Sequence, residues 1–235
     1  LDQNVLNLNK LELSFDKILI TSEKINIKKI NKYFEISGNF KTNKSKINLK
    51  NYDKLLNTNL DLIDDKPINL SSESQLSFKI NKKFKIKDLR IMSKLNFDEL
   101  FTKSKYQDLI YFKNGNILIN YIKEDLKINF NSNFLFQNNN YNNNKTKNLI
   151  KLIYKKKQNN DALINIDLSN TKSKINSKEF KKFFKFKNFN LQEQDITFAS
   201  ENLISFKLNK KNEIKNFSIK SILKSESILI DYKSQ

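Results

Sequence analysis

Two pairs of adjacent carboxylates, Asp64-Asp65 and Glu124-Asp125, are the residues of this chain whose spacing most invites a chemical reading. Neighbouring carboxylates can hold a divalent cation or divide acid and base work between them. Neither pair has the company that such chemistry needs. The chain has no histidine and no cysteine, so the commonest general base, the thiolate nucleophile and the usual zinc ligands are missing. Its two glycines, Gly38 and Gly115, cannot build a glycine-rich phosphate loop. Both acidic pairs sit in polar, turn-like stretches, where a solvated turn accounts for them. The residues point to a non-catalytic protein with no cofactor and no metal.

Charge is the next candidate for function. The net charge is +19, from 44 Lys and Arg against 25 Asp and Glu. Such a balance ordinarily suggests nucleic acid or an anionic membrane. Here nearly all of it is lysine, with Arg90 the single arginine. Lys, Asn, Ile and Phe abound while Gly, Pro, Ala and Val are scarce, which is the signature of AT-rich codon usage. The lysines are spread along the chain, and a nucleic-acid reader draws on the bidentate guanidinium. Composition therefore argues against nucleic acid as a partner. No apolar run approaches the ~18 residues of a spanning helix, and no signal peptide is visible. With Leu1 in place of Met, the 235 residues read as one elongated region of a longer chain, any anchor lying outside it.

The elements that would position a site are strands. Apolar residues alternate with Lys, Asn, Ser and Asp at period two, the pattern of half-buried strands. Leu11, Leu13 and Phe15 share a parity, as do Phe34, Ile36 and Phe40. Leu76, Phe78 and Ile80 precede a turn at Asn81-Lys82-Lys83, with Phe84 and Ile86 beyond it. Ile117, Ile119 and Tyr121 precede a turn at Lys123-Glu124-Asp125, followed by Leu126, Ile128 and Phe130. Ile164, Ile166 and Leu168, then Ile204, Phe206 and Leu208, continue the pattern. Helical signals are few: a segment over 51–62, a capping box at Asn96 to Glu99, and Phe180, Phe183 and Phe184 behind a cap at Asn176. The tract from Asn138 to Asn148 is low-complexity and reads as a mobile loop.

One stretch occurs twice. LSFKINKKFKIKDLRIMSKL, residues 76–95, returns without a gap as ISFKLNKKNEIKNFSIKSIL, residues 204–223, with roughly half of the positions identical. In the first copy the apolar parity slips near Asp88, from even at Ile86 to odd at Leu89 and Ile91. In the second it slips between Ile214 and Phe217. A slip of one residue flips every following side chain, so each copy requires a bulge or bend at the same place.

Strands with one apolar and one polar face predict an antiparallel sheet with a single greasy side, which something must cover. A sandwich or sealed barrel would cover it internally. An outer-membrane barrel would turn it to lipid. A curved sheet would hold acyl chains against it. Tandem hairpins such as 76–97 and 204–223, and the strand-then-short-helix pattern of KIKDLRIMSKLNFDEL, residues 85–100, resemble the repeats of the AsmA-like superfamily. That group includes TamB- and YhdP-type proteins and is related to the bridge-like lipid-transfer proteins. The resemblance implies an all-β fold: an extended antiparallel, curved sheet forming a half-pipe groove, with two or three short helices. It implies a periplasmic protein anchored to the inner membrane, which binds or transfers phospholipid and contributes to outer-membrane assembly or lipid homeostasis. Its partners would be phospholipid acyl chains, and the membrane through a region outside this chain. The candidate groove lining is Phe78, Ile80, Phe84, Ile86, Ile128, Phe130, Phe206, Leu208, Phe217 and Ile219. Ordinary core packing is the competing role for the same residues. The alternatives at the level of function are a sealed-core structural or adhesive all-β protein and an outer-membrane β-barrel.

Overall fold

The structure is a computed structural model that describes residues 5–15, 18–49, 63–102, 110–136, 147–158, 160–178, 189–226 and 229–232. Among the described residues the alternating segments form thirteen strands. These are β1 (Val5–Phe15), β2 (Ile18–Ile30), β3 (Tyr33–Ile47), β4 (Ile68–Asn81), β5 (Ile86–Phe101), β6 (Ile110–Ile122), β7 (Asp125–Phe136), β8 (Lys147–Lys156), β9 (Ala162–Asn176), β10 (Phe189–Leu191), β11 (Asp195–Leu208), β12 (Ile214–Ser225) and β13 (Ile230–Tyr232). Eleven make one antiparallel sheet in the order β1-β2-β3-β4-β5-β6-β7-β8-β9-β11-β12, and β10 pairs with β13 apart from it. Apart from this small excursion the chain is a meander, each strand hydrogen-bonded to the next. Gln194 ties the excursion down: its amide donates to Leu229 O and accepts from Leu229 N, while its own N–H donates to the Ser177 hydroxyl.

Connections differ at the two ends of the sheet. At one end lie short links: 31–32, 82–85, 123–124, 157–161 and 209–213. The 123–124 link carries positive φ at both Lys123 and Glu124, the conformation of a two-residue hairpin turn that matches strand twist. Most of the links at the other end are longer.

The sheet is open and uncurled, in place of the expected half-pipe. Curvature of a sheet is built from glycine kinks and bulges; the chain has only Gly38 and Gly115, and the bulges that interrupt six of its strand pairs do not roll the sheet. No described strand joins β12 back to β1, and no described layer packs over either face. The surface is accordingly large: 17241 Å² is accessible, against about 11,000 Å² for a compact protein of this mass. Buried apolar side chains among the described residues are limited to Ile25, Ile47, Ile68, Phe97, Ala162, Ile164 and Ile196.

The expected two or three short helices are not borne out. Asn96 to Glu99 lies inside β5, where Phe97 pairs with Leu70 on one side and Gly115 on the other. Two complete backbone ladders outweigh the single pair of capping contacts that a helix would have used. α-Helix among the described residues is confined to Ser177-Lys178, where the Asn176 side chain accepts the Lys178 N–H at 2.8 Å. The segment 51–62 and Phe180, Phe183 and Phe184 lie outside the described residues. So does most of the 138–148 tract, although its last two residues, Lys147 and Asn148, already belong to β8.

Candidate functional site

Pairing register carries one side-chain row across all eleven strands. It runs Leu13, Ile20, Thr42, Ser72, Leu95, Ile117, Phe130, Leu152, Ile166, Ile204, Ile219. Directly opposed residues share a face, so this row lies on one face of the sheet and is apolar except at Thr42 and Ser72. The adjacent row, one residue along each strand, runs Glu12, Thr21, Lys41, Glu73, Lys94, Leu118, Asn129, Ile153, Asn165, Ser205, Ser218 and lies on the other, mostly polar face.

The apolar face is knit by rings. Phe97 stacks on Phe130 at 5.9 Å between centroids, and Phe112 meets Phe130 edge-on at 5.4 Å. Gly115 makes this cluster possible, because a Cβ there would run into the Phe97 ring. Phe97 thereby covers the gap that a glycine leaves in a strand. A second contact joins Phe206 to Phe217 at 6.4 Å near the far edge.

Of the ten candidate lining residues, nine are placed on this face. Phe78 and Ile80 pair with Ile36 and Phe34, and Ile86 pairs with Ile80. Ile128 and Phe130 pair with Ile119 and Ile117. Phe206 and Leu208 pair with Ile164 and Ala162, and Ile219 pairs with Ile204. Phe217 meets Phe206 through its ring. Phe84 is the exception: it sits in the β4–β5 turn, with φ of 56° and 83% of its surface exposed. Counting parity across a turn placed it on the face, but the link is four residues long and Phe84 is its third.

Sequence reasoning missed a hydroxyl strip within the apolar face. Thr42 Oγ1 lies 2.8 Å from Ser72 Oγ, and Ser93 Oγ donates to Ser74 Oγ at 2.8 Å. These residues share parity with Leu70, Leu76, Ile91 and Leu95, which was the available signal. Because the hydroxyls satisfy one another, little unmet polarity faces an apolar neighbour.

The polar face carries the ion pairs and a depression. Lys79 Nζ reaches Asp88 at 2.8 Å and Lys113 Nζ reaches Glu99 at 3.2 Å. Their hydrogen bonds raise the Lys79 and Lys113 ammonium pKa values, and the Lys79 bond holds the Asp88 carboxyl below the usual carboxylate range. A depression of about 520 Å³ spans β3 to β7, with Lys41, Glu73, Lys94, Leu118 and Asn129 in its lining. It therefore does not coincide with the expected lipid track. Among the described residues no group of three or more Asp or Glu could hold a metal ion. Asp64 and Asp65 lie in the link before β4, and Glu124 and Asp125 lie at the β6–β7 turn. Asp125 is engaged as the acceptor of the Gln158 N–H at 3.2 Å.

The two sequence copies form hairpins with matching hydrogen bonds. In the first, Asn81 Oδ1 accepts the N–H groups of Lys83 and Lys85, each at 3.0 Å, and Phe84 N donates to Asn81 O. In the second, Asn209 Oδ1 accepts from Lys211 and Glu213, each at 2.9 Å, and Asn212 N donates to Asn209 O. Positive φ recurs at Phe84 and Asp88 and, at the matching positions, at Asn212 and Asn216. The ladders break at matching points too, between Ser77 and Lys79 and between Ser205 and Lys207. The bulge expected from the parity slip is thus present in both copies.

No helix among the described residues is long and apolar enough to cross a membrane. The chain matches no family model, no curated protein and no solved structure.

Proposed function

We propose that this chain is a non-catalytic, AsmA-like lipid-handling protein whose apolar sheet face binds and passes on phospholipid acyl chains. One observation carries the reading: the row from Leu13 to Ile219 crosses eleven strands, and no described element covers it. A surface of this kind is unfavourable in water unless something apolar lies against it. An acyl chain gains about 0.8 kcal/mol for each methylene it buries. Away from the Thr42 and Ser72 hydroxyls successive rungs offer similar apolar contacts, so an acyl chain can shift between them without leaving a deep well. Head groups remain in water beyond the sheet, and no bond is made or broken.

The remainder of the reading follows the resemblance in the hairpin repeats. It is a periplasmic protein held at the inner membrane by a region outside these residues, serving outer-membrane assembly or lipid homeostasis. A sealed-core adhesive or structural protein would need a second layer over the face. A closed membrane barrel would need a β1–β12 seam. Neither occurs among the described residues, which favours the lipid reading over both.

The test is native mass spectrometry of the chain purified without detergent. Phospholipid adducts that disappear in an Ile166→Asp variant which remains folded support the proposal. A lipid-free chain whose Ile166→Asp variant unfolds would instead indicate a sealed core.

A further inference from the structure

The β4–β5 tip breaks a local rule that its twin obeys. Position 84 and its counterpart 212 both have positive φ, 56° and 60°. Asparagine, which tolerates that conformation, occupies the second. Phenylalanine occupies the first, where a bulky residue is an outlier, and its ring is 83% exposed. Among the described residues no ring contact or side-chain hydrogen bond accounts for it. Residues held against both backbone preference and burial mark sites of function.

The surroundings indicate a partner. Phe84 is flanked by Lys82, Lys83 and Lys85, all exposed, and Ile86 beside it is 56% exposed. Every other short link at this end of the sheet also carries lysine: Lys32, Lys123, Lys157, and Lys210 with Lys211. The five links together carry eight lysines against Glu124, Asp161 and Glu213, so this end is a net basic rim with one apolar tooth. Lysines attract a negatively charged surface, while an exposed ring needs an apolar layer directly beneath that charge.

We propose that the β4–β5 tip docks on anionic phospholipid bilayers, Phe84 entering the interface and Lys82, Lys83 and Lys85 engaging lipid phosphates. The inference stands independently of whether the apolar face carries acyl chains, since docking requires only the tip and the rim. A single-stranded nucleic acid offers phosphate and stacking as well, but the lone arginine and the adjacent aliphatic Ile86 favour the bilayer.

The chain has no tryptophan, so Phe84→Trp and Asn212→Trp each give one clean reporter. With vesicles of phosphatidylcholine and phosphatidylglycerol, Trp at 84 is expected to shift to the blue and to be quenched by brominated acyl chains. Trp at 212 is expected to change less, and phosphatidylcholine alone to produce neither effect. In co-sedimentation of the otherwise native chain, Phe84→Asn is expected to weaken binding while leaving the fold intact, because the twin hairpin uses Asn at that backbone conformation. Replacing Lys82, Lys83 and Lys85 with Gln is expected to weaken binding by about fivefold for each lysine. Unchanged emission from Trp at 84 in a sample that co-sediments would overturn the proposal. So would equal binding to neutral vesicles, or a shift produced by a single-stranded oligonucleotide and not by vesicles.

Discussion

The hairpins β4–β5 and β11–β12 are the same object in two settings. Each is closed by an asparagine side chain that binds two backbone N–H groups, and each carries a bulge seven residues after that asparagine. The first lies inside the sheet, with β3 on one side and β6 on the other. The second ends it: every residue of β12 is exposed, Phe217 at 60% and Ile219 at 56%. Hairpin geometry is therefore set locally by turn and bulge chemistry, whereas burial is set by the next strand. A repeated unit can extend a sheet without new design, and its last member is left with apolar residues bare.

Equivalent substitutions should separate these two contributions. The largest difference is expected for Leu95→Ala against Leu223→Ala. Leu95 sits between Ser72 and Ile117, whereas Leu223 is 48% exposed at the edge. The first should cost about 2 kcal/mol and the second well under 1 kcal/mol in urea unfolding. Equal losses would mean that β12 is covered in solution.

Removal of the shared asparagines should have similar local effects and unequal global ones. Asn81→Ala and Asn209→Ala each delete two hydrogen bonds to backbone, about 1–2 kcal/mol together. The loss is expected in global stability for Asn81 and as faster amide exchange confined to β11–β12 for Asn209. An exchange of tip residues is the next test. Phe84→Asn should stabilise, and Asn212→Phe destabilise, by about 1 kcal/mol each, reflecting the cost of a bulky residue at positive φ. A loss of stability in Phe84→Asn would show that the ring packs on the fold after all.

The smallest effect concerns pH. The Lys79–Asp88 pair ties the first bulge to β4, while the matching residues in the second copy are Lys207 and Asn216. The Asp88 carboxyl pKa is depressed by the Lys79 hydrogen bond and charge. Its contribution is therefore present at neutral pH and is lost as pH falls through the acid end of the carboxylate range. Relative to intrinsic rates, exchange at the first bulge should quicken on acidification more than at the second. Both residues are solvated, so the change should be slight.

Much of this fold was legible in the sequence because strand periodicity is exact at two. A slip such as Ile86 to Leu89 can mean little except an extra residue, and it marks the bulge at Asp88. Where polar residues flank the irregularity the signal vanishes: Lys172, with φ of 50° in β9, stands between Asn170 and Ser173 and offers no apolar marker. The capping box at Asn96 failed because local side-chain signals compete with ladders formed by residues far away in the chain. Phe84 shares the parity of Ile86 but lies in the 82–85 link, and parity assigns a face only to residues inside a strand. Nor could alternation state that the sheet stays open, since rolled and flat sheets share one pattern.

The central claim is that the face carrying Phe130 and Ile166 meets acyl chains while the face carrying Asn129 and Asn165 does not. Photo-crosslinking amino acids placed singly at these four positions, in cells fed radiolabelled phosphate, test it most directly. Labelled phospholipid adducts are expected at 130 and 166 and none at 129 and 165. Equal labelling of both faces, or none on either, would contradict it.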